Sequence, residues 1–194
     1  MPQLEIKPHA PEMVLPGAEL PKVAHQTVNQ LAKMKILVVD DEPANAALLE
    51  DILHEGGYTQ VRAITDSRLV LEACTNFPPD LVLLDLMMPH LDGFSILESL
   101  REYSEIFLPI IILTADMNEE TKLHALRAGA TDFLLKPFDH IEALLRIHNL
   151  LETRRLHLLL DNQRAAFEDA LRSRSSELRE AQSELEKNKN RPGS

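Results

Sequence analysis

The sequence predicts an α/β protein: a doubly wound, five-stranded parallel sheet covered by helices on both faces, with a long C-terminal α-helix. Three observations lead there. Five short apolar runs alternate with amphipathic stretches between residues 35 and 136, the pattern of βα repeats around a buried parallel sheet. Four of those runs end on a carboxylate, hydroxyl or ammonium side chain. From Asp139 to about residue 190 there is no proline, no glycine and no strand signal, so that stretch reads as one helix.

Each element follows from local composition. Residues 1–33 carry Pro2, Pro8, Pro11, Pro16 and Pro21 with few apolar clusters, and read as an extended or disordered arm with a short helix over 23–33. Ile36-Leu37-Val38-Val39 forms the first strand and ends in Asp40-Asp41; the next helix has Pro43 in its first turn and stops at Gly56-Gly57. A weaker run over 61–64 precedes a helix over 67–76. Leu81-Val82-Leu83-Leu84 ends in Asp85, a loop holds Pro89 and Gly93, and 94–102 is helical. Pro109-Ile110-Ile111-Ile112-Leu113 ends in Thr114, and a helix over 118–128 is closed by Gly129. Asp132-Phe133-Leu134-Leu135 then runs into Lys136-Pro137.

The last helix is too long for its domain. About fifty residues at ~1.5 Å each reach about 75 Å, well past a globule of ~100 residues. Its first turns offer Ile141, Leu144, Leu145 and Ile147 to the sheet. Further on, Leu160, Phe167 and Ala181 share one heptad phase and Leu171, Leu178 and Leu185 the other, with Arg164 and Arg174 interrupting the seam. A solitary helix cannot cover such a stripe, so a partner helix is expected, and a homodimeric coiled coil is the simplest. The organisation read from this is an arm over 1–33, a globular domain over 34–150, a helical extension over 151–190 and a tail over 191–194.

Composition bounds the function. The 194 residues are 44% apolar and 26% charged, which excludes global disorder. Lys and Arg total 20 against 31 Asp and Glu, a formal charge of -11, which disfavours broad binding to a polyanion. Cys74 is the single cysteine, which excludes an internal disulfide or a thiolate metal cluster. No apolar run approaches the roughly 20 residues needed to span a bilayer, and the N-terminus lacks a signal-peptide pattern. The expectation is a soluble, cytoplasmic protein with no membrane partner and no direct nucleic-acid partner.

In a doubly wound sheet the functional crevice lies beyond the carboxyl ends of the strands. The residues there are Asp40, Asp41, Asp85, Thr114 and Lys136. Crowded carboxylates take up protons unless a cation neutralises them, and a hard divalent ion such as Mg²⁺ suits all-oxygen ligation. A hydroxyl and an ammonium flanking a metal-bound carboxylate make a constellation for accepting a phosphoryl group.

Four pieces of the sequence carry a family resemblance: Ile36-Leu37-Val38-Val39-Asp40-Asp41-Glu42-Pro43; Asp85-Leu86-Met87-Met88-Pro89-His90-Leu91-Asp92-Gly93; Leu113-Thr114-Ala115; and Lys136-Pro137-Phe138. Over residues 35–150 the chain closely resembles the receiver domain of two-component response regulators, whose sheet is flavodoxin-like. The resemblance implies that Asp85 is the phosphoacceptor and that Mg²⁺ (or Mn²⁺) is held by Asp41, Asp85 and the backbone carbonyl of Met87, with Asp40 helping mostly through water. It implies that Thr114 and Lys136 bind the phosphoryl group, that Pro137 follows a cis peptide bond, and that Phe133 is the aromatic switch. Met87 and Asp116 occupy positions that tune phosphoryl lifetime. The implied partner is a cognate histidine kinase or phosphotransfer protein, and the implied chemistry is confined to the domain's own phosphorylation and dephosphorylation.

Rival readings meet specific obstacles. A haloacid-dehalogenase-like phosphatase needs a second Asp two residues after the nucleophile, where Met87 follows Asp85 and Pro43 follows Asp41. A histidine-kinase helix needs an acidic neighbour for its histidine, but His148 precedes Asn149-Leu150 and His157 precedes Leu158-Leu159. After residue 150 no second globular pattern appears, and the helix is mixed in charge, which speaks against a DNA-binding output. The open alternative is a receiver plus linker from a longer regulator with an enzymatic output such as cyclic-di-GMP turnover.

Overall fold

The computed structural model describes residues 29–88, 93–104, 106–115 and 118–189. Five strands, β1 (Lys35–Val39), β2 (Gln60–Ile64), β3 (Leu81–Asp85), β4 (Ile110–Thr114) and β5 (Asp132–Leu135), form one sheet in the order β2-β1-β3-β4-β5. All pairings are parallel, with Val39 opposite Ile64 and Leu84, and Leu113 opposite Asp85 and Leu134. The helices are α1 (Pro43–Glu55), α2 (Val70–Asn76, after a 3₁₀ turn at Ser67–Leu69), α3 (Gly93–Tyr103), α4 (Glu119–Ala128) and α5 (His140–Lys189). The expected doubly wound α/β sheet with a long terminal helix is the observed one.

Alternation along the strands divides the core into two layers. Ile36, Val38, Leu81, Leu83, Ile111, Leu113 and Leu134 face α1 and α5, packing on Leu49, Leu53, Ala143, Ile147 and Leu151. Leu37, Val39, Val82, Leu84, Ile110 and Ile112 face the other way, against Val70 and Cys74 of α2, Ile96, Leu97 and Leu100 of α3 and Ala125 of α4. Burying each such Leu, Ile or Val is worth about 1.5–3 kcal/mol relative to exposure. β2 lies at an edge with its residues half-buried or exposed, which explains why its apolar run is the weakest.

Helix ends follow the local sequence. Pro43 sits in the first turn of α1, where its missing N–H costs nothing. The Asn118 side chain caps α4 by accepting from the Thr121 N–H at 2.8 Å, and Gly129 closes that helix at φ +108°, a left-handed conformation that favours glycine.

Two expectations need correction. Ile141 and Leu145 do not pack on the sheet but are exposed; the buried stripe of α5 is Ala143, Ile147, Leu151 and Arg154. Spacings of four, four and three hold one helix face on the sheet, and the small Ala143 allows close approach. The arm also ends before residue 33. Leu31 is buried in the α1/α5 layer, and the backbone N–H and hydroxyl of Thr59 both donate to the Ala32 carbonyl at 2.9 Å. Residues 29–31 are helical; residues 1–28, the rest of the predicted arm, lie outside the described residues.

The base of the domain grips α5. Arg154 Nη1 donates to the carbonyls of Ile106 and Phe107 at 2.9 and 2.7 Å, and its Nε lies 3.7 Å from Asp80 Oδ1. Asp80 in turn accepts from the Lys35 N–H at 2.9 Å. Burial pulls the Arg154 guanidinium below its ordinary pKa, and Asp80 opposes that shift. The His157 ring lies against Phe107, centroids 4.8 Å apart. Every described residue from Leu159 onward is exposed.

Candidate functional site

The sheet order reverses between β1 and β3, and the crevice at such a switch point is where α/β sheets bind ligands. Because Val39 pairs with Leu84, Asp40 and Asp85 emerge side by side. Asp40 is completely buried and its oxygens are occupied: Oδ1 accepts from the Glu42 N–H at 3.1 Å and Asn45 Nδ2 at 3.2 Å, and Oδ2 from Lys136 Nζ at 2.7 Å. Asp85 keeps 9% of its side chain exposed. Its Oδ1 accepts from the Met87 N–H at 2.9 Å and its Oδ2 from Lys136 Nζ at 2.7 Å.

Lys136 reaches both carboxylates because its backbone is anchored beside them. Its N–H donates to the Thr114 carbonyl at 2.8 Å, and the Lys136–Pro137 peptide bond is cis. Burial lowers the ammonium's pKa, but its hydrogen bonds to Asp40 and Asp85 and their charges outweigh it, so the pKa stands above its ordinary value. Lys136 is therefore a fixed cation across the neutral range.

Thr114 is buried at the carboxyl end of β4, one strand from Asp85. Asp41 is half-buried, and one oxygen from each of Asp40, Asp41 and Asp85 lies within 4.8 Å of the others. Three carboxylates against one ammonium leave an excess of negative charge, and the donors are all oxygen. That set fits a hard divalent cation such as Mg²⁺.

The structure thus brings Asp40, Asp41, Asp85 and Lys136 together, with Thr114 at the neighbouring strand end. Phe133 is half-buried on β5, packed against the α2/α3/α4 layer. The Met87 side chain is exposed, while its N–H is tied to Asp85. Asp116 lies outside the described residues. On α5, Leu160, Phe167, Leu171 and Leu178 are all exposed; the side chain of Leu185 is outside those described.

Sequence reasoning missed Asn45, which holds Asp40 from the first turn of α1. Its signal was a short polar side chain one turn into a helix that starts beside an acidic strand end. It missed the Arg154 grip as well, whose signal was periodicity: Arg154 continues the stripe of Ala143, Ile147 and Leu151.

Comparison with known proteins agrees with this geometry. The response regulator receiver domain family matches residues 36–148. A probable cyclic di-GMP phosphodiesterase of Vibrio cholerae is 30% identical over 158 residues, 81% of this chain and 35% of that protein. The transcriptional regulatory protein BaeR of Escherichia coli is 38% identical over 117 residues, 60% of this chain and 48% of the relative. Among solved structures, the receiver domain of the Francisella response regulator 1452 is 33% identical with a TM-score of 0.57, covering 62% of this chain and 98% of that one. The chain spans about a third to a half of the length of these two curated relatives.

Proposed function

This chain belongs to the response regulator receiver family, and from that membership we propose that Asp85 accepts a phosphoryl group and that α5 carries the resulting signal. One observation carries the site assignment. A single ammonium, Lys136 Nζ, stands 2.7 Å from both Asp40 and Asp85, and of those two carboxylates only Asp85 retains exposed surface. Asp40, with both oxygens engaged, is a positioning group; Asp85 is the one a donor can reach.

In the reaction a carboxylate oxygen of Asp85 attacks the phosphorus of a kinase or phosphotransfer-protein phosphohistidine, or of acetyl phosphate. The new P–O bond forms as the donor's P–N or P–O bond breaks, and the donor leaves with that electron pair. Whichever Asp85 oxygen is esterified loses the hydrogen bond it now accepts, from Met87 N–H or from Lys136. Lys136 then pairs with the phosphoryl oxygens, and the Thr114 hydroxyl donates to them. Asp41, Asp85 and the Met87 carbonyl would hold Mg²⁺, with Asp40 helping mostly through water, and a bound ion would supply further neutralisation of charge on the phosphoryl oxygens. Met87 and Asp116 tune access of the water that later hydrolyses the acyl phosphate.

The group adds roughly −1.5 to −2 charges. Thr114 is drawn toward it and Phe133 repacks behind Thr114, a switch that rests on ring packing because Phe has no hydroxyl. The face of α4, β5 and α5 shifts population in response, and α5 transmits the shift to a homodimeric coiled coil. The chain is a signalling module that assists only its own phosphorylation and dephosphorylation. None of its described helices is long and apolar enough to cross a membrane, and the reading is of a cytoplasmic protein. A second reading has support: the match to the Vibrio cholerae phosphodiesterase runs over 158 residues, longer than the family span of 36–148. On that reading this chain is the front of a longer regulator whose enzyme lies elsewhere.

Intact-mass measurement with acetyl phosphate and Mg²⁺ tests the site. The wild type gains about 80 Da, one phosphoryl group, and Asp85→Asn gains nothing. Labelling that survives in Asp85→Asn overturns the assignment.

A further inference from the structure

An open hollow of about 270 Å³ lies where α5 leaves the domain, lined by His157, Leu160, Asp161 and Arg164 of the helix and by Ile106 and Phe107 of the loop before β4. The four helical residues have a specific spacing. In a two-stranded coiled coil each knob enters a hole made by four residues of the facing helix. For a knob at position 160 of a parallel, in-register partner those four are residues 157, 160, 161 and 164. We infer that this hollow is the first hole of the dimer seam, that it receives Leu160 of a second copy of this chain, and that Ile106 and Phe107 form part of the dimer interface. The inference rests on the dimer reading above and adds its alignment, its starting point and a contribution from the domain itself.

The seam continues in the same register. Leu160, Phe167, Leu171 and Leu178 are each more than half exposed, at spacings of seven, four and seven. The two arginines that interrupt it are already paired along their own helix, Arg164 with Glu168 at 2.9 Å and Arg174 with Glu177 at 3.3 Å, so both enter the seam with their charge covered. The flanks fit a parallel alignment. Gln163 faces Glu168 of the second copy, Ala170 faces Ser175 and Glu177 faces Gln182, so no like charges meet on the flanks, while the seam itself sets arginine against arginine at 164 and 174 in either orientation. The antiparallel alignment that sets Phe167 against Leu171 instead brings Glu168 against Glu168.

The grip on α5 fixes where the seam begins. Arg154 holds the carbonyls of Ile106 and Phe107, and Phe107 lies against His157. The loop is therefore already seated against the helix, and its apolar side chains extend the interface from the stripe onto the domain.

Disulfide trapping and light scattering on the full chain test this. Leu160→Cys should form a disulfide-linked dimer under mild oxidation, while Leu145→Cys, exposed on the same helix but outside the seam, should not. The native Cys74 stays out of the exchange, because it is buried and its thiol is pushed up to about 11. Phe107→Ala should weaken dimerisation about fivefold or more while leaving phosphorylation of Asp85 intact as evidence of folding. A dimer by mass in which Leu160→Cys forms no disulfide overturns the alignment and leaves the dimer reading standing. The disulfide together with unchanged dimerisation in Phe107→Ala overturns the part assigned to the loop. A monomer at all concentrations, with Asp85 phosphorylated or not, overturns the dimer reading itself.

Discussion

The two halves of α5 carry stripes of the same helical periodicity in opposite environments. Over its first five turns Ala143, Ile147, Leu151 and Arg154 are buried against the domain. From Leu159 every described residue is exposed, although Leu160, Phe167, Leu171 and Leu178 repeat just as regularly. Both stripes have helical periodicity, and the exposed one carries the larger apolar side chains. The first meets the sheet, and the second is left exposed by the described residues. An amphipathic stripe therefore announces that a partner exists, and only the geometry of the rest of the chain decides whether that partner is internal.

Four substitutions sharpen or break this comparison. The largest effect is expected in the domain: Leu83→Ala, at the centre of β3 and completely buried, should cost about 2–5 kcal/mol. Leu171→Ala should change unfolding of the monomer by no more than about 0.5 kcal/mol. Urea titration below the dimer dissociation constant measures both, and equal losses would mean the two halves are not different after all. Next in size is Lys136→Met, which leaves Asp40 and Asp85 without their shared cation. It should cost about 1–3 kcal/mol, and added Mg²⁺ should recover more melting temperature in this variant than in the wild type. Smaller again is Arg154→Met, which removes the hydrogen bonds to Ile106 and Phe107 and should cost about 1–2 kcal/mol. Amide exchange should accelerate around 155–162 while the centre of the sheet stays protected. Unchanged exchange there would mean that apolar packing alone ends the first half.

Much of this was legible in the sequence because parallel strands buried on both faces must be continuous apolar runs, and because the residues just past them must be polar. That reasoning located β1, β3 and β4, and it named Asp40, Asp85, Thr114 and Lys136 before any contact between them was known. It was weakest where burial is partial: β2 lies at an edge, and its run is correspondingly faint. It also went wrong where composition misleads. A proline-rich arm gave no hint that Leu31 turns back into the core, and Ile141 and Leu145 looked like core because they are large, whereas the sheet accepts the small Ala143. The shared ammonium at the site was beyond reach for another reason. Lys136 lies 96 positions from Asp40 and 51 from Asp85, and no local pattern encodes a distance of 2.7 Å across the sheet.

The seat of α5 ends at the opposite pole from Asp85. Asp80 lies just before β3 and Asp85 ends it, so the strand separates them by about 16 Å at ~3.3 Å per residue. The strand between them is completely buried, and close-packed side chains compress very little, so a group added to Asp85 as proposed would reach the Arg154 grip as displacement. On the function proposed above, the domain would act as a push-rod between the strand end at Asp85 and the seat of α5.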